Sequence, residues 1–265
     1  AGRMVRFDTV PTEANTQPDW VFGVEDLQTD PYAERHFVTN GTTASDGEVL
    51  LVGDGYDKRF NCWDPIPETS GIAPSTTYDF RDGVRGIRII DDTTWAQGPM
   101  NGLRRWDGIP CDGRDPDAYL TRIGKIDMQS VQDFEIDGVN WYAVHDHDQL
   151  SIWSGEPTEM QDPDVTLTVG RNALLSSDGT TLAVASKEGL SLYAVSDLLQ
   201  NPTPLTLNSP DWSSNLGQPL VSDGHLFLVD HGFHRIYAWE TVASALDGAD
   251  PDVILGASGL EDQDP

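Results

Sequence analysis

Apolar residues along this chain fall in short runs, four to a unit, and the unit recurs five times. In the fifth unit the runs are Gln218 to Ser222, His225 to Asp230, Arg235 to Trp239 and Asp252 to Leu255; in the first they are Phe37 to Ser45, Glu48 to Gly53, Arg59 to Trp63 and Thr76 to Phe80. They are rich in Val, Leu, Ile, Thr and aromatic residues and are bounded by Gly, Asp, Asn and Pro, the composition of strands between turns. Helical spacing of apolar positions is confined to Val242 to Leu246, a stretch too short to define a helix by pattern.

Three landmarks keep the register. The first is an acidic turn at Ser45-Asp46-Gly47, Asp91-Asp92, Asp137-Gly138, Ser177-Asp178-Gly179 and Ser222-Asp223-Gly224. Its aspartates at 46, 92, 137, 178 and 223 are separated by 46, 45, 41 and 45 residues. The second is an aromatic residue with a following proline, seen as Trp63-Asp64-Pro65-Ile66-Pro67 and Trp106-Asp107-Gly108-Ile109-Pro110, with Trp153 and Trp239 in the same place and Val195 replacing it in the fourth unit. The third is an acidic proline corner, Asp115-Pro116-Asp117, Asp162-Pro163-Asp164 and Asp250-Pro251-Asp252, each leading into an apolar run (Ala118 to Gly124 in the first case). A fixed period of this length with four strands per unit is the signature of a propeller blade.

The expected fold is therefore all-β: one β-propeller domain over residues 1–265, with five full four-stranded blades at about 36–82, 83–125, 126–170, 171–210 and 211–256, and a tail at 257–265. Strands a to d run from the centre outwards. The N-terminus is out of phase. Phe7-Asp8-Thr9-Val10-Pro11 matches the second landmark and Pro18-Asp19-Trp20 the third, so residues 1–24 read as the c and d strands of a half-blade. Strands a and b of that blade are missing, and the chain reads as a piece of a longer protein.

His225 to Trp239 carries an Asp closing strand b (Asp230), a small polar hairpin and an Arg opening strand c (Arg235); Leu50 to Trp63 repeats this with Asp54 and Arg59. These segments resemble the NHL repeat. The resemblance implies a six-bladed ring, here incomplete. The Asp/Arg pair is absent from the other three units, which have Gln97 and Gly102, His145 with no Arg, and Ser186 and Ser191.

Charge narrows the partners. There are 44 Asp+Glu against 16 Lys+Arg, a formal net charge of −28. Such a chain repels phosphate backbones and anionic lipid, so neither nucleic acid nor membrane insertion is expected. No apolar run approaches the ~20 residues of a membrane span. Turn aspartates account for part of the excess; the remainder suits an extracellular, periplasmic or cell-surface medium containing salt or calcium. Cys62 lies in strand c of one blade and Cys111 in the c–d loop of the next; a bond between them is geometrically demanding, and the sequence leaves their pairing open.

The candidate chemistry is sparse. His145 and His147, alternating in an extended segment, could share a metal, whereas a hairpin at that place makes His145-Asp146-His147-Asp148 a solvated turn. Asp54 with Arg59 and Asp230 with Arg235 recur at equivalent places, which marks them as ties between strands b and c. No cofactor is required. Calcium at the acidic corners is the first metal to consider and zinc at the histidines the second. The expected function is non-catalytic: a monomeric binding or scaffold propeller taking a protein or small ligand on one face. Its b–c hairpins and d–a loops would bring together Asp57, Lys58, Asp146, Asp148, His231 and His234. The alternative is a metal-dependent lyase or hydrolase of the NHL-like propeller type, which needs at least three convergent ligands.

Overall fold

A strand survives in water only if its ends are held and its faces covered, and the landmarks do the first job here. A computed structural model describes residues 4–13, 16–22, 24–26, 28–29, 42–54, 58–80, 83–98, 102–200, 202–207, 209 and 212–256. The described residues form five four-stranded antiparallel sheets, each in the order a-b-c-d, and two two-stranded sheets, one at the N-terminus and one between blades 2 and 3. Blade 1 is Thr42–Ser45, Leu50–Asp54, Arg59–Trp63 and Thr76–Asp79; blade 2 is Gly86–Ile90, Thr93–Gly98, Gly102–Asp107 and Ala118–Leu120. Blade 3 is Asp133–Ile136, Asn140–His145, Gln149–Ser154 and Val165–Thr168. Blade 4 is Leu174–Ser177, Thr181–Ser186, Gly189–Ala194 and Leu205–Leu207, and blade 5 is Leu216–Ser222, His225–Asp230, Arg235–Trp239 and Val253–Leu255. Contacts group the chain into two compact units, Ala1–Val10 with Gln17–Val131, and Pro11–Thr16 with Gln132–Pro265.

The acidic turns are of two kinds. At Asp46, Asp137 and Asp178 one carboxylate oxygen accepts from the backbone N–H groups two and three residues on, at 2.7 to 3.0 Å. Asp91-Asp92 and Asp223-Gly224 are two-residue turns with positive φ at both positions (46° and 60°, 50° and 77°), the twist that joins right-handed strands tightly.

The proline corner works through its second aspartate. Asp117, Asp164 and Asp252 each accept from the backbone N–H of the residue at or just beyond the end of strand c (Asp107, Ser154 and Glu240) at 2.7 to 2.8 Å. In blade 1 the Ser75 hydroxyl takes this place beside Asp64. The indole N–H of Trp63, Trp106, Trp153 and Trp239 donates to a carbonyl eight to ten residues on, at Ile72, Arg114, Gln161 and Ala249. The N-terminal sheet, Met4–Arg6 paired with Trp20–Phe22, has the same corner: Asp19 accepts from Asp8 N–H at 2.8 Å, and Asp19 N–H donates to Arg6 at 2.9 Å. The N-terminal segment is thus an antiparallel pair closed by the same corner as the blades.

The cores lie between consecutive blades within each unit. In blade 4, Leu182 and Val184 of strand b face Tyr142, Val144 and Ile152 of blade 3, while Ala183 and Ala185 face Leu228, Tyr237 and Trp239 of blade 5. Large side chains on one face and small ones opposite blade 5's aromatics explain why the four central positions of this strand are all apolar; each buried Leu or Val contributes about 1.5 to 3 kcal/mol. In the first unit Leu51, Phe60 and Cys62 pack on Ile87, Ala96 and Trp106, and Phe22 of the N-terminal sheet packs on Val52 and Trp63.

Four features go beyond the pattern. Cys62 and Cys111 form a disulfide with Cα atoms 5.4 Å apart, since the c–d loop of blade 2 folds back over blade 1, where Thr76 Oγ1 donates to the Cys111 carbonyl. The run from Ala118 to Gly124 is not one strand; it breaks at Thr121 and enters a small hairpin, Arg122–Ile123 with Ile126–Asp127. Blade 4, lacking the landmark Trp, fills its c–d loop with a 3-10 helix, Val195–Gln200. Val242–Leu246 is a helix capped by Thr241, whose side chain accepts from Ser244 N–H.

Candidate binding surface

The b–c hairpins carry the residues singled out from the sequence. Asp57 lies outside the described residues. In the first unit Lys58 is exposed at the hairpin exit with φ 57°, and its carbonyl accepts from Phe80 N–H at 2.7 Å. The other candidates belong to the second unit. Asp146 and His147 occupy the hairpin tip with φ of 49° and 75°, so the alternation of an extended strand stops at His145. His145 is buried at 8% exposure. Its Nδ1 is 3.1 Å from Asp146 Oδ2 and its Nε2 2.8 Å from Ser151 Oγ, which in turn lies 3.3 Å from Thr166 Oγ1. Both ring nitrogens are therefore engaged. His147 is exposed, with Nδ1 3.3 Å from Gln132 Nε2. Asp148 accepts from Gln149 Nε2 at 2.8 Å. Among the described residues no group of three His, Cys, Asp or Glu is arranged to hold an ion.

The Asp146, His145 and Ser151 constellation has the order of an acid, base and nucleophile, but the burial is inverted. Ser151 is fully buried while the Asp146 side chain is 75% exposed. A nucleophile must meet substrate, so the chain of bonds ties strand b to c and d instead.

In blade 5, Asp230 and Arg235 stand directly opposite each other and are both buried. The Asp230 carboxylate gathers the N–H groups of Ser213 (2.8 Å), Gly232 (3.0 Å) and Phe233 (3.2 Å) together with the Ser213 hydroxyl. The Arg235 guanidinium lies 5.6 Å from the Phe233 ring centre. Blade 1 has the same pairing in register, Asp54 opposite Arg59. His231 N–H donates to Asn215 at 3.0 Å and its ring covers Gly217, where a β-carbon would stand 2.5 Å from Nε2. His234 is exposed with φ 54°.

The innermost strands of the second unit are joined by polar groups the pattern did not flag. Asp133, 2% exposed, accepts from Leu175 N–H at 2.8 Å and from Gln218 Nε2 at 3.3 Å, linking blades 3, 4 and 5. Asp137 accepts from Tyr142 OH at 2.6 Å and Ser177 Oγ at 2.9 Å. Burial, and then this bond, raise the Tyr142 phenol far above its ordinary range.

At the opposite edge of blades 1, 3, 4 and 5, the a–b turn and c–d loop are clipped together. Ile66 N–H donates to Glu48, Gly155 to Val139, Val195 to Thr180 and Val242 to Gly224, at 2.7 to 2.9 Å. This edge also carries exposed apolar side chains: Val139, Met160, Leu199 and Leu246 in the second unit. Apolar residues standing inside acidic loop segments were the available sequence signal for them.

No family model matches the sequence, and no curated protein matches it. Among solved structures, the β-propeller domain of Myceliophteria thermophila Cps50 (Swd1) aligns with a TM-score of 0.56 at 12% identity, over 84% of this chain and 74% of that one. The computationally designed Ika8 protein (TM-score 0.47, 9% identity, 78% of this chain and 59% of that one) and the WD40 β-propeller domain of Doa1 (0.47, 14%, 78% and 66%) also align. The first likeness, with the five four-stranded sheets, establishes an all-β propeller fold; at this identity it carries no assignment to the NHL type.

Proposed function

We propose that this chain is a non-catalytic binding or scaffold propeller whose partner is a protein. The observation that carries this reading is the commitment of its recurrent polar residues. The turn aspartates Asp46, Asp137 and Asp178, the corner aspartates Asp117, Asp164 and Asp252, the landmark tryptophans and His145 bind backbone or neighbouring strands through their polar atoms. The exposed loops at the two edges of the blades are then left for a partner, the usual contact surface of such folds. A setting outside the cytosol is part of the proposal, supported by the Cys62–Cys111 bond.

Two loop-replacement variants test it. One changes Asp146, Asp148, His231 and His234 to Ser; the other changes Val139, Met160, Leu199 and Leu246 to Ser. One of the two should abolish saturable retention of a protein partner while the circular dichroism of strands is unchanged. Turnover of ester, lactone or amide substrates by chain supplied with zinc or calcium would overturn the reading.

A further inference from the structure

We infer that the a–b/c–d edge of the second unit is a docking surface for a basic polypeptide segment studded with apolar side chains. This rests on the binding reading above and assigns its place and partner chemistry.

The first observation is where apolar side chains meet water. Val139 is 62% exposed, Met160 89%, Leu199 48% and Leu246 40%. Val139 is in the a–b turn of blade 3, and the others are in the c–d loops of blades 3, 4 and 5. Among the described residues of this unit the other two large exposed apolar side chains, Leu205 at 42% and Leu220 at 50%, stand on strands d and a, and none lies in a b–c hairpin or d–a connection.

The second observation is that these loops are fixed. The backbone clips at Val139, Thr180 and Gly224 tie each c–d loop to its own a–b turn. The indoles of Trp153 and Trp239 hold the loops at Gln161 and Ala249. Neighbouring blades are registered by Ser177 Oγ on Asp137 and by Val221 N–H on Ser176 Oγ. Side chains displayed from a fixed frame lose little freedom on binding.

The third observation is charge, which chooses the occupant. The turns at 137–139, 178–180 and 223–224 contribute three Asp, and the loops at 155–164, 195–204 and 240–252 contribute nine Asp or Glu; these segments contain no Lys or Arg. The only cations between 132 and 256 are Arg171, Lys187 and Arg235, all at the other edge, in a d–a connection, a b–c hairpin and the start of strand c. Apolar side chains standing in loop segments that carry one sign of charge disfavour a second copy of the same edge and anionic lipid, and favour a segment combining Lys or Arg with spaced apolar anchors.

The test uses fluorescence anisotropy with three labelled peptides of about 18 residues, five helical turns: an amphipathic Leu/Lys peptide, a Leu/Glu peptide of identical spacing, and a Lys/Ser peptide. The Leu/Lys peptide should bind saturably at physiological ionic strength and the other two should not. The quadruple Ser variant at Val139, Met160, Leu199 and Leu246 should weaken binding by about tenfold or more. Glu156→Gln with Glu159→Gln should weaken it and flatten its salt dependence. The Ser variant at Asp146, Asp148, His231 and His234 should bind as the parent does. Equal binding of the Lys/Ser peptide, no binding of Leu/Lys, or full binding by the quadruple Ser variant would each overturn the assignment. If Leu/Lys binding is instead lost in the Asp146/Asp148/His231/His234 variant, this inference fails and the binding-propeller reading stands. Substrate turnover would sink that reading itself.

Discussion

An aspartate carboxylate is short enough to reach backbone N–H groups close by in the chain, and strong enough as an acceptor to hold them against water. In this protein that one property closes a–b turns at Asp46, Asp137 and Asp178 and ends strand c at Asp117, Asp164 and Asp252. Asp164→Ala removes the acceptor for Ser154 N–H. By analogy with a helix N-cap it should cost about 1 kcal/mol and lower the melting temperature by about 2 to 4 °C, read by thermal denaturation. The turns also respond to acid. The Val49 N–H holds the Asp46 carboxyl below the usual carboxylate range. At Asp178 burial pushes upward, but the donors at Thr181 and Thr180 outweigh it, and the net is again lowered. A carboxyl held lower in the folded than in the unfolded chain stabilises above the unfolded value, and that stability drains away as pH falls through the folded one. The urea midpoint of the parent should therefore exceed that of Asp178→Asn at about pH 6, and the gap should close below the ordinary carboxyl value. A gap that persists there would show the turn is held by other means.

The element most legible in the sequence was the blade. Arg235–Trp239, Arg59–Trp63 and His225–Asp230 begin and end where composition places them, because turn residues mark both ends and each strand is short. What escaped is what period cannot encode. The small hairpin at Arg122–Asp127 is an insertion particular to one connection, and the register shift between Leu216 and Pro219 belongs to one strand pair alone. The Cys62–Cys111 bond depends on a loop folding back across a neighbour. The candidate site was less legible still. His145 and His147 look equivalent in a list of residues, but φ at Asp146 ends the strand between them, and the partners of His145 are Asp146 in the hairpin and Ser151 on strand c, which passes the contact on to Thr166 of strand d. At this scale the landmark Trp is a fastener for a loop. Trp239→Phe keeps the buried ring and loses the donor to Ala249, so a loss of about 1 kcal/mol is expected, against a loss of about 3 to 5 kcal/mol for Trp239→Ala. Equal losses in chemical denaturation would mean the indole N–H carries the whole effect.

Across the whole molecule the charge of −28 is a load on the compact state. Screening within about 10 Å at 0.1 M salt relieves it, so the melting temperature should rise with NaCl. A further rise with CaCl₂ at matched ionic strength would mark bound calcium. A flat response to 1 M NaCl would show the carboxylates to be well dispersed and remove one support for a saline extracellular setting. The disulfide works in the same direction. Its two cysteines are 49 residues apart, and a loop of that length corresponds to about 4 kcal/mol on the chain-entropy relation, so reducing agent should lower the melting temperature at every salt concentration.

That bond also alters what a protease can accomplish. Strand d of blade 1 and strands a, b and c of blade 2 all lie between Cys62 and Cys111. A single cut anywhere in that stretch severs the polypeptide without releasing a fragment. The nicked chain should run as one band on a non-reducing gel and as two after reduction. Damage in this part of the protein is therefore invisible to size alone, and a population that looks intact in an oxidising medium can contain molecules that fall apart when they meet a thiol.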